Sequence, residues 1–506
     1  MTTANRFAVL SVDDIQEPSA TVMAESRSPI SWIPNEILIL IFLAISDDPL
    51  HLTWVCQHWR SLAQNVPHLW TQTRTAWPIE ALDVILSRSR ALPLDVNIDA
   101  TSTTLLRTAF SDQLARVRSL STVLRSESRV EIQKLVTFIA TQNFAVLEDL
   151  SINVQTSHTN LLQVIPARGH SDAKVRCALR ALSLVNLPCE YIPENMLQNL
   201  TLLNISYPHA EEGQALKLCD LVNMLALTPM LDTLIITNTP VDGSEAVPSS
   251  RIVNLKHLTA LQWDGCPDTL FSVFLRNVTL PALTLLEFDL RTVPAHLQYY
   301  AEPAPVTALA TTTLLSLKAN QLFRTARILR RFEFPVLESL ELTNTELKMP
   351  VLPKMETLFR TPSMLRLTHL IVTAFTFESE DVLEMLGYMP ALVSLWVDAC
   401  AGLPALLQAL AHGRCPVLEE LEFWECDDLS GSDILDVAQR SPWPEDGRYI
   451  KNLPKRGRKQ DEMHGVRLKR VKIDSCRCVD EEEVEELRDG GVEVDYRQYV
   501  DNDLDD

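Results

Sequence analysis

Glycine is scarce: the chain has 13 in 506 residues, and none opens a Gly-x-x-x-x-Gly-Lys-Ser/Thr, Gly-x-Gly-x-x-Gly or Gly-x-Ser-x-Gly pattern. The loops that cradle phosphates and dinucleotides are therefore missing, as is the nucleophile elbow of α/β-hydrolases. Positive charge is also short, with Lys+Arg 45 against Asp+Glu 66 and a net charge of −21, which argues against nucleic acid as a partner because phosphate backbones are gripped by cations. The longest unbroken apolar run, Ile37 to Ile45, has nine residues, whereas crossing a bilayer takes about 20; no membrane partner is expected. Met1 to Arg27 carries Asp13, Asp14 and Glu17 and no apolar stretch. Residues 1–27 thus read as a disordered segment without a secretory signal. The ten cysteines form no Cys-x-x-Cys pair and no evenly spaced framework, the pattern of reduced, mostly buried thiols. The 11 histidines include no His-Glu-x-x-His and no metal-spaced group; His51, His58 and His68 read as surface residues. The expectation is a soluble protein, cytoplasmic and/or nuclear, with no catalytic residue, no cofactor and no metal.

A chain of 506 residues exceeds one compact core, and 46% hydrophobic residues suffice to fold several domains or an extended array. Pro34, whose missing N–H has no intrahelical partner at a first turn, and Glu36, near the positive end of a helix dipole, start a helix over the apolar run. Asp48 as N-cap and Pro49 start a second helical stretch through Leu50, Leu52, Val55, Trp59, Leu62 and Ala63, closed by Pro67. The first helix is apolar on every side, and such helices are normally buried all round. A module of about 45 residues has too little mass to bury it alone. Either the rest of the chain or a partner covers it.

The pattern Ile33-Pro34-x-Glu36-Ile37-Leu38-x-x-Ile41-Phe42, then Leu50, Val55-Cys56-x-x-Trp59-Arg60-x-Leu62-Ala63 and Pro67-x-Leu69-Trp70 resembles an F-box. The resemblance covers residues 31–70 and places an F-box domain at 28–75. It implies a three-helix module docking on the Skp adaptor (S-phase-kinase-associated protein), and through it on a cullin–RING ubiquitin ligase. It also implies that Ile33, Pro34, Ile37, Leu38, Ile41, Val55, Cys56, Trp59, Leu62 and Trp70 face the adaptor. Ile33 stands where the family usually has Leu, and Trp54 where a smaller residue is usual.

Residues 76–130 read as a linker or first capping repeat, with Ala81–Leu86 helical in composition and Pro93–Asp99 alternating with period two. Beyond it, Leu-x-x-Leu-x-Leu with similar apolar residues recurs eleven times, from Leu147/Leu150/Ile152 to Leu468/Val471/Ile473. Several copies follow turns at Pro229, Pro281, Pro335, Pro390 and Pro416, and a degenerate copy is expected around Leu314 and Leu317. Asn186, Asn238 and Asn344 fall two residues past the third apolar position and Cys426 and Cys476 three past it, near where leucine-rich repeats place the side chain that satisfies turning backbone groups. Helices are expected at Asp381–Tyr388 and Leu403–Ala411. One such unit cannot enclose its own apolar face, so neighbours stack. The array resembles the repeats of fungal-type F-box/leucine-rich-repeat proteins. The expected fold class is α/β: a three-helix F-box followed by a leucine-rich-repeat horseshoe over 131–496. A packed α/β domain of ordinary topology is the alternative.

On the expected concave face the x positions and their neighbours supply Glu287, Asp289, Glu338, Glu341, Asp398, Glu419, Glu420 and Glu422, with Trp396 and Trp424 among them. Carboxylates around aromatic anchors suit a protein target with a basic segment; Glu341, Trp396, Asp398, Glu422 and Trp424 are its candidate contacts, and a solvated acidic surface is the alternative. An insertion at 441–465 holds Pro454-Lys455-Arg456-Gly457-Arg458-Lys459, either a nuclear localisation element or solvated charge. From Asp480 to the end stand 13 acidic and two basic residues. Asp480–Arg488 suits a capping helix, and 497–506 is an acidic tail. The resemblance implies a non-catalytic, substrate-recognition subunit of a Skp–cullin–F-box ubiquitin ligase, with the F-box on the adaptor and the repeats on the target. A scaffold that binds the adaptor without promoting ubiquitination, and an enzyme with a site scattered through the repeats, remain the alternatives.

Overall fold

The computed structural model describes residues 32–45, 49–74, 77, 79–99, 110–124, 134–135, 138–139, 142, 144–155, 178–187, 192, 194–207, 216–237, 241–242, 252–266, 268–290, 316–320, 337–344, 362–439 and 468–498. The segment 1–27, Asp48, Asn238, the insertion at 441–465 and the tail from 499 lie outside them. The chain is mixed α/β and divides into two compact units, Met1–Asn199 and Leu200–Asp506.

In the first unit, the Pro34 carbonyl accepts from the N–H groups of Ile37 and Leu38 at 3.1 and 3.0 Å, opening α1 (Asn35–Ile45). The second helical stretch is broken into α2 (Pro49–Val55) and α3 (Gln57–Gln64). Cys56 is extended between them (φ −158°, ψ 170°), and its Sγ accepts from the Trp59 N–H at 3.4 Å as an N-cap. Arg60 Nε donates to the Thr53 carbonyl at 2.8 Å, taking the acceptor that a continuous helix would offer residue 57. A 3-10 turn, Pro67–Trp70, leads into β1 (Gln72–Arg74) and α4 (Ile79–Arg88). Then β2 (Leu94–Asp99), β3 (Val117–Leu124), β4 (Asp149–Val154) and β5 (Ala181–Val185) join β1 in chain order, all parallel. The helix and strand read around Ala81–Leu86 and Pro93–Asp99 fall on α4 and β2.

The second unit repeats the arrangement. The strands of its main sheet are β6 (Leu202–Ser206), β7 (Thr233–Thr237), β8 (Ala260–Cys266), β9 (Leu285–Leu290), β10 (Ser316–Asn320), β11 (Ser339–Thr343), β12 (His369–Thr373), β13 (Ser394–Asp398), β14 (Glu420–Trp424), β15 (Arg470–Asp474) and β16 (Glu493–Arg497). Each pairs parallel with the next. Helices α5 (Leu218–Leu225), α6 (Asp268–Asn277), α7 (Ser379–Gly387), α8 (Leu403–Ala411), α9 (Gly431–Gln439) and α10 (Glu481–Asp489) lie between strands in the chain. The degenerate copy expected near Leu317 is β10. The helix expected over Asp480–Arg488 is α10, closed at its start by a reciprocal capping box of Asp480 and Glu483; β16, one strand more, follows it. β14 and β15 stay in register, Glu420 opposite Arg470, across the stretch 440–467.

Burial follows the pleat. In β13 and β14, Leu395, Val397, Leu421 and Phe423 are buried while Ser394, Trp396, Asp398, Glu420, Glu422 and Trp424 are partly exposed. This is the period-two pattern of a sheet covered on one face. The helices bury their own apolar stripes, Leu403, Leu406, Leu407 and Leu410 in α8 for example. Short parallel strands become stable because each lends its neighbour a ladder of backbone bonds and one apolar row.

The shortage of glycine reappears in the turns. Asn186, Ala374, Ala399, Glu425 and Ser475 each stand one residue past a strand with φ between 47° and 62°, a left-handed conformation that costs a non-glycine residue about 1–2 kcal/mol. Their position is kept because the turn lets the ladder run one bond further: the N–H of Ala374 reaches the Asp398 carbonyl, that of Ala399 the Trp424 carbonyl, and that of Glu425 the Asp474 carbonyl, at 2.8–3.1 Å. Asn186 occupies the left-handed position itself, and its Nδ2 donates to the Val154 carbonyl at 3.0 Å. Cysteines come one residue later. Cys400 donates to the Val372 and Asp398 carbonyls and Cys426 to those of Val397 and Trp424, so these thiols line the turns of successive strands with Cys476. Burial pushes the Cys400 thiol up to about 11; the Cys476 sulfur and burial together push Cys426 up. Among the cysteines whose side chains are described, Cys400, Cys415, Cys426 and Cys476 are buried and Cys56 and Cys478 exposed.

Two opposite substitutions test these turns. Ala399→Gly is expected to raise stability by about 0.5–1 kcal/mol, the relieved left-handed strain exceeding the added chain entropy. At Gly402 (φ 77°) a Cβ would press into the Phe377 carbonyl oxygen, so Gly402→Ala should lower stability by about 1–3 kcal/mol. Thermal melts of the two variants beside the wild type check both signs.

Candidate functional site

The first candidate is the outer side of α1. On a helix, positions three and four apart share a face. Leu38 and Phe42 are that pair on the inner face, 1% and 0% exposed, packed with Leu50, Leu52, Ala63, Leu69, Trp70 and Ile85. The Phe42 ring also meets Trp59, centroids 4.8 Å apart. Ile37, Leu40, Leu43 and Ala44 make the outer face, and it is open: Ile37 is 46% exposed and Leu40 61%. Burying a leucine or isoleucine is worth about 1.5–3 kcal/mol, so this stripe forgoes several such contributions while the chain stands alone. At the break between α2 and α3, Trp54 and Val55 are 55% and 59% exposed, and Cys56 beside them is exposed as well.

The ten positions that the resemblance assigns to an adaptor divide into three groups. Pro34, Ile37, Val55 and Cys56 are exposed, Ile33, Trp59 and Leu62 are half-buried against the inner cluster, and Ile41 is half-buried. Leu38 and Trp70 are the correction, because both are sealed in that cluster. Trp70 donates its Nε1 hydrogen to the Ala63 carbonyl at 2.8 Å, and the Arg88 guanidinium lies 4.5 Å over its ring. It therefore holds the helices to α4. Leu40 and Leu43 carry the outer stripe instead, with Trp32 and Trp54 exposed near it in sequence. A helical projection of Ile37–Ile45 anchored on Leu38 and Phe42 would have found Leu40 and Leu43; nothing local in the sequence marks Trp70 as internal.

The second candidate is the uncovered face of β11–β16 in the second unit. In one row across the strands stand Ile371, Trp396, Glu422, Lys472 and Asp495; in the next stand Thr373, Asp398, Trp424, Asp474 and Arg497. The Trp396 and Trp424 rings lie 5.9 Å apart at 32°. Lys472 Nζ sits 4.5 Å over the Trp424 ring and 3.7 Å from Glu422 Oε2. Arg497 reaches Asp474 at 3.5 Å, Lys469 reaches Glu419 at 2.8 Å, and Arg470 lies 3.9 Å from Glu420. The face is thus less acidic than the template positions alone suggest, since the cations arrive from β15 and β16. Of the five candidate contacts, Trp396, Asp398, Glu422 and Trp424 come together, whereas Glu341 stands beyond Ile371, two strands or about 10 Å from Trp396. Glu338 and Glu419 sit just before their strands, and the side chain of Asp289 lies outside the described residues.

Asp398 differs from its neighbours. Burial, and then the nearby Glu425 charge, raise its pKa above the ordinary carboxylate value, and a hydrogen bond from Thr373 offsets part of this. A carboxyl raised in the folded state binds its proton more tightly folded than unfolded, so folding weakens as pH climbs from the ordinary value through the raised one and stays weakened above it. Asp398→Asn should accordingly raise the melting temperature at pH 7, with the gain shrinking toward zero below pH 4; a melt series over that range checks it.

Among the described residues no His, Cys, Asp and Glu group is arranged to hold a metal ion, and no helix is long and apolar enough to cross a membrane. No protein-family model matches the chain, and no curated protein matches it either.

Proposed function

We propose that the chain is the substrate-recognition subunit of a Skp–cullin–F-box ubiquitin ligase, with an F-box in its first unit and leucine-rich repeats supplying the target surface. The observation that carries the reading is the outer stripe of α1. A helix apolar all round, with Leu38 and Phe42 sealed and Ile37, Leu40 and Leu43 open, is what a helix looks like when a second protein completes its burial. The motif from Ile33 to Trp70 resembles the F-box in residue type and order, and its adaptor-facing set here is Pro34, Ile37, Leu40, Leu43, Val55 and Cys56, with Ile33, Ile41, Trp59 and Leu62 supporting it. In-order parallel strands with apolar alternation suit a repeat array that offers its uncovered face to a target. The chain itself performs no chemistry in this reading: it raises the effective concentration of target lysines near ubiquitin carried by the cullin–RING arm.

Affinity capture with the purified Skp adaptor tests it. Ile37→Asp and Leu40→Asp should abolish capture while leaving the melting temperature within about 2 °C of wild type, since both side chains already face water. Leu38→Ala should lower stability by about 2–5 kcal/mol through the cavity it leaves. Adaptor binding that survives both aspartates would overturn the proposal.

A further inference from the structure

Among the described residues, Asp398 on the face around Trp396 has no counterion, and beside it stands an internal copy of the contact that would supply one. Trp424 already carries a cation: Lys472 lies over its ring with Glu422 within ion-pair distance. Trp396 has no such cation among the described residues, although a carboxylate stands two residues from it on the same strand, as one does for Trp424. Its ring lies tilted against Trp424, Ile371 flanks it on β12, and Asp398 follows it two residues along the same strand. Glu419, Glu420, Glu422 and Asp474 each have a lysine or arginine within 4 Å, whereas Asp398 has none among the described residues, and Glu425 adds a second negative charge near it. The indole N–H groups of Trp396 and Trp424 also have no acceptor among the described residues, although a buried tryptophan N–H usually finds one.

We propose that this face takes an extended segment of another protein whose lysine or arginine lies on the Trp396 ring against the Asp398 carboxylate. The methylene stem of such a side chain has Ile371 to lie along. A cation over an indole is attracted by the ring's negative face, more strongly as water is excluded, and the facing carboxylate adds a charge-assisted hydrogen bond. Lysine and arginine from elsewhere in this chain are the competing occupants, above all Lys455, Arg456, Arg458 and Lys459. The inference deepens the receptor reading by naming the chemistry of the target, and its test contains no adaptor, so that the two can fail separately.

The experiment titrates the full chain with an arginine-bearing glycine–serine peptide and with its glutamine twin. The arginine peptide is expected to bind and the twin to fail. Asp398→Asn and Trp396→Leu should each weaken binding at least about fivefold, and neutralising Lys455, Arg456, Arg458 and Lys459 to glutamine should leave it unchanged. Asp398→Asn, expected to be no less stable than the wild type, separates loss of contact from loss of fold. Equal binding of the twin, or unaltered affinity in the two site variants, overturns the proposal. So does binding that emerges only after the four cations are neutralised, since that assigns the face to the chain's own basic stretch.

Discussion

In-register parallel pairing is the constraint from which the rest of the architecture follows. A one-residue slip between two strands would turn every apolar side chain to the opposite face, and short strands with so little pairing each tolerate no such error. Leu370, Leu395, Leu421 and Val471 therefore stand opposite one another from β12 to β15, as do Ile371, Trp396, Glu422 and Lys472 on the other face. On that face too, the spacing of the groups is set by backbone hydrogen bonds and not by side-chain choice. The left-handed turns after the strands belong to the same constraint: strain at Ala374, Ala399 and Glu425 is held because each extends the ladder by one bond.

The two candidate sites expose different physics. On α1 the unsatisfied quantity is apolar area, since Ile37 and Leu40 face water on a helix with almost no polar residue to spare. On the sheet it is charge: Asp398 is held half-buried with a neighbour of its own sign. Both lower the stability of the isolated chain, and both are the kind of local sacrifice that binding surfaces make.

Much of this organisation was legible in the sequence, for reasons that differ by element. The Leu-x-x-Leu-x-Leu template located β4–β9 and β11–β15 because alternate burial on a short strand leaves a period-two trace that few other structures produce. It missed β16, where Val492 and Val494 stand among glycines and acids and the copy lacks its leucines. The break at Cys56 was invisible because Leu50 to Ala63 keeps helical spacing on either side; what ends α2 is an arginine seven residues on, taking the Thr53 carbonyl. Motif likeness placed Leu38 and Trp70 on an outer surface, and packing places them inside. A one-dimensional pattern records that a residue is apolar but not which of two apolar faces it joins. The Lys472–Trp424 contact pairs residues 48 positions apart, and only the register of β14 and β15 brings them together.

That register persists across residues 440–467, with Glu420 opposite Arg470 although fifty positions separate them. Closing a loop becomes more costly only logarithmically with its length, by about 0.6 kcal/mol for each doubling. The register of β14 with β15 is therefore a property of the two strands' own backbone bonds, and the number of residues between them enters only weakly.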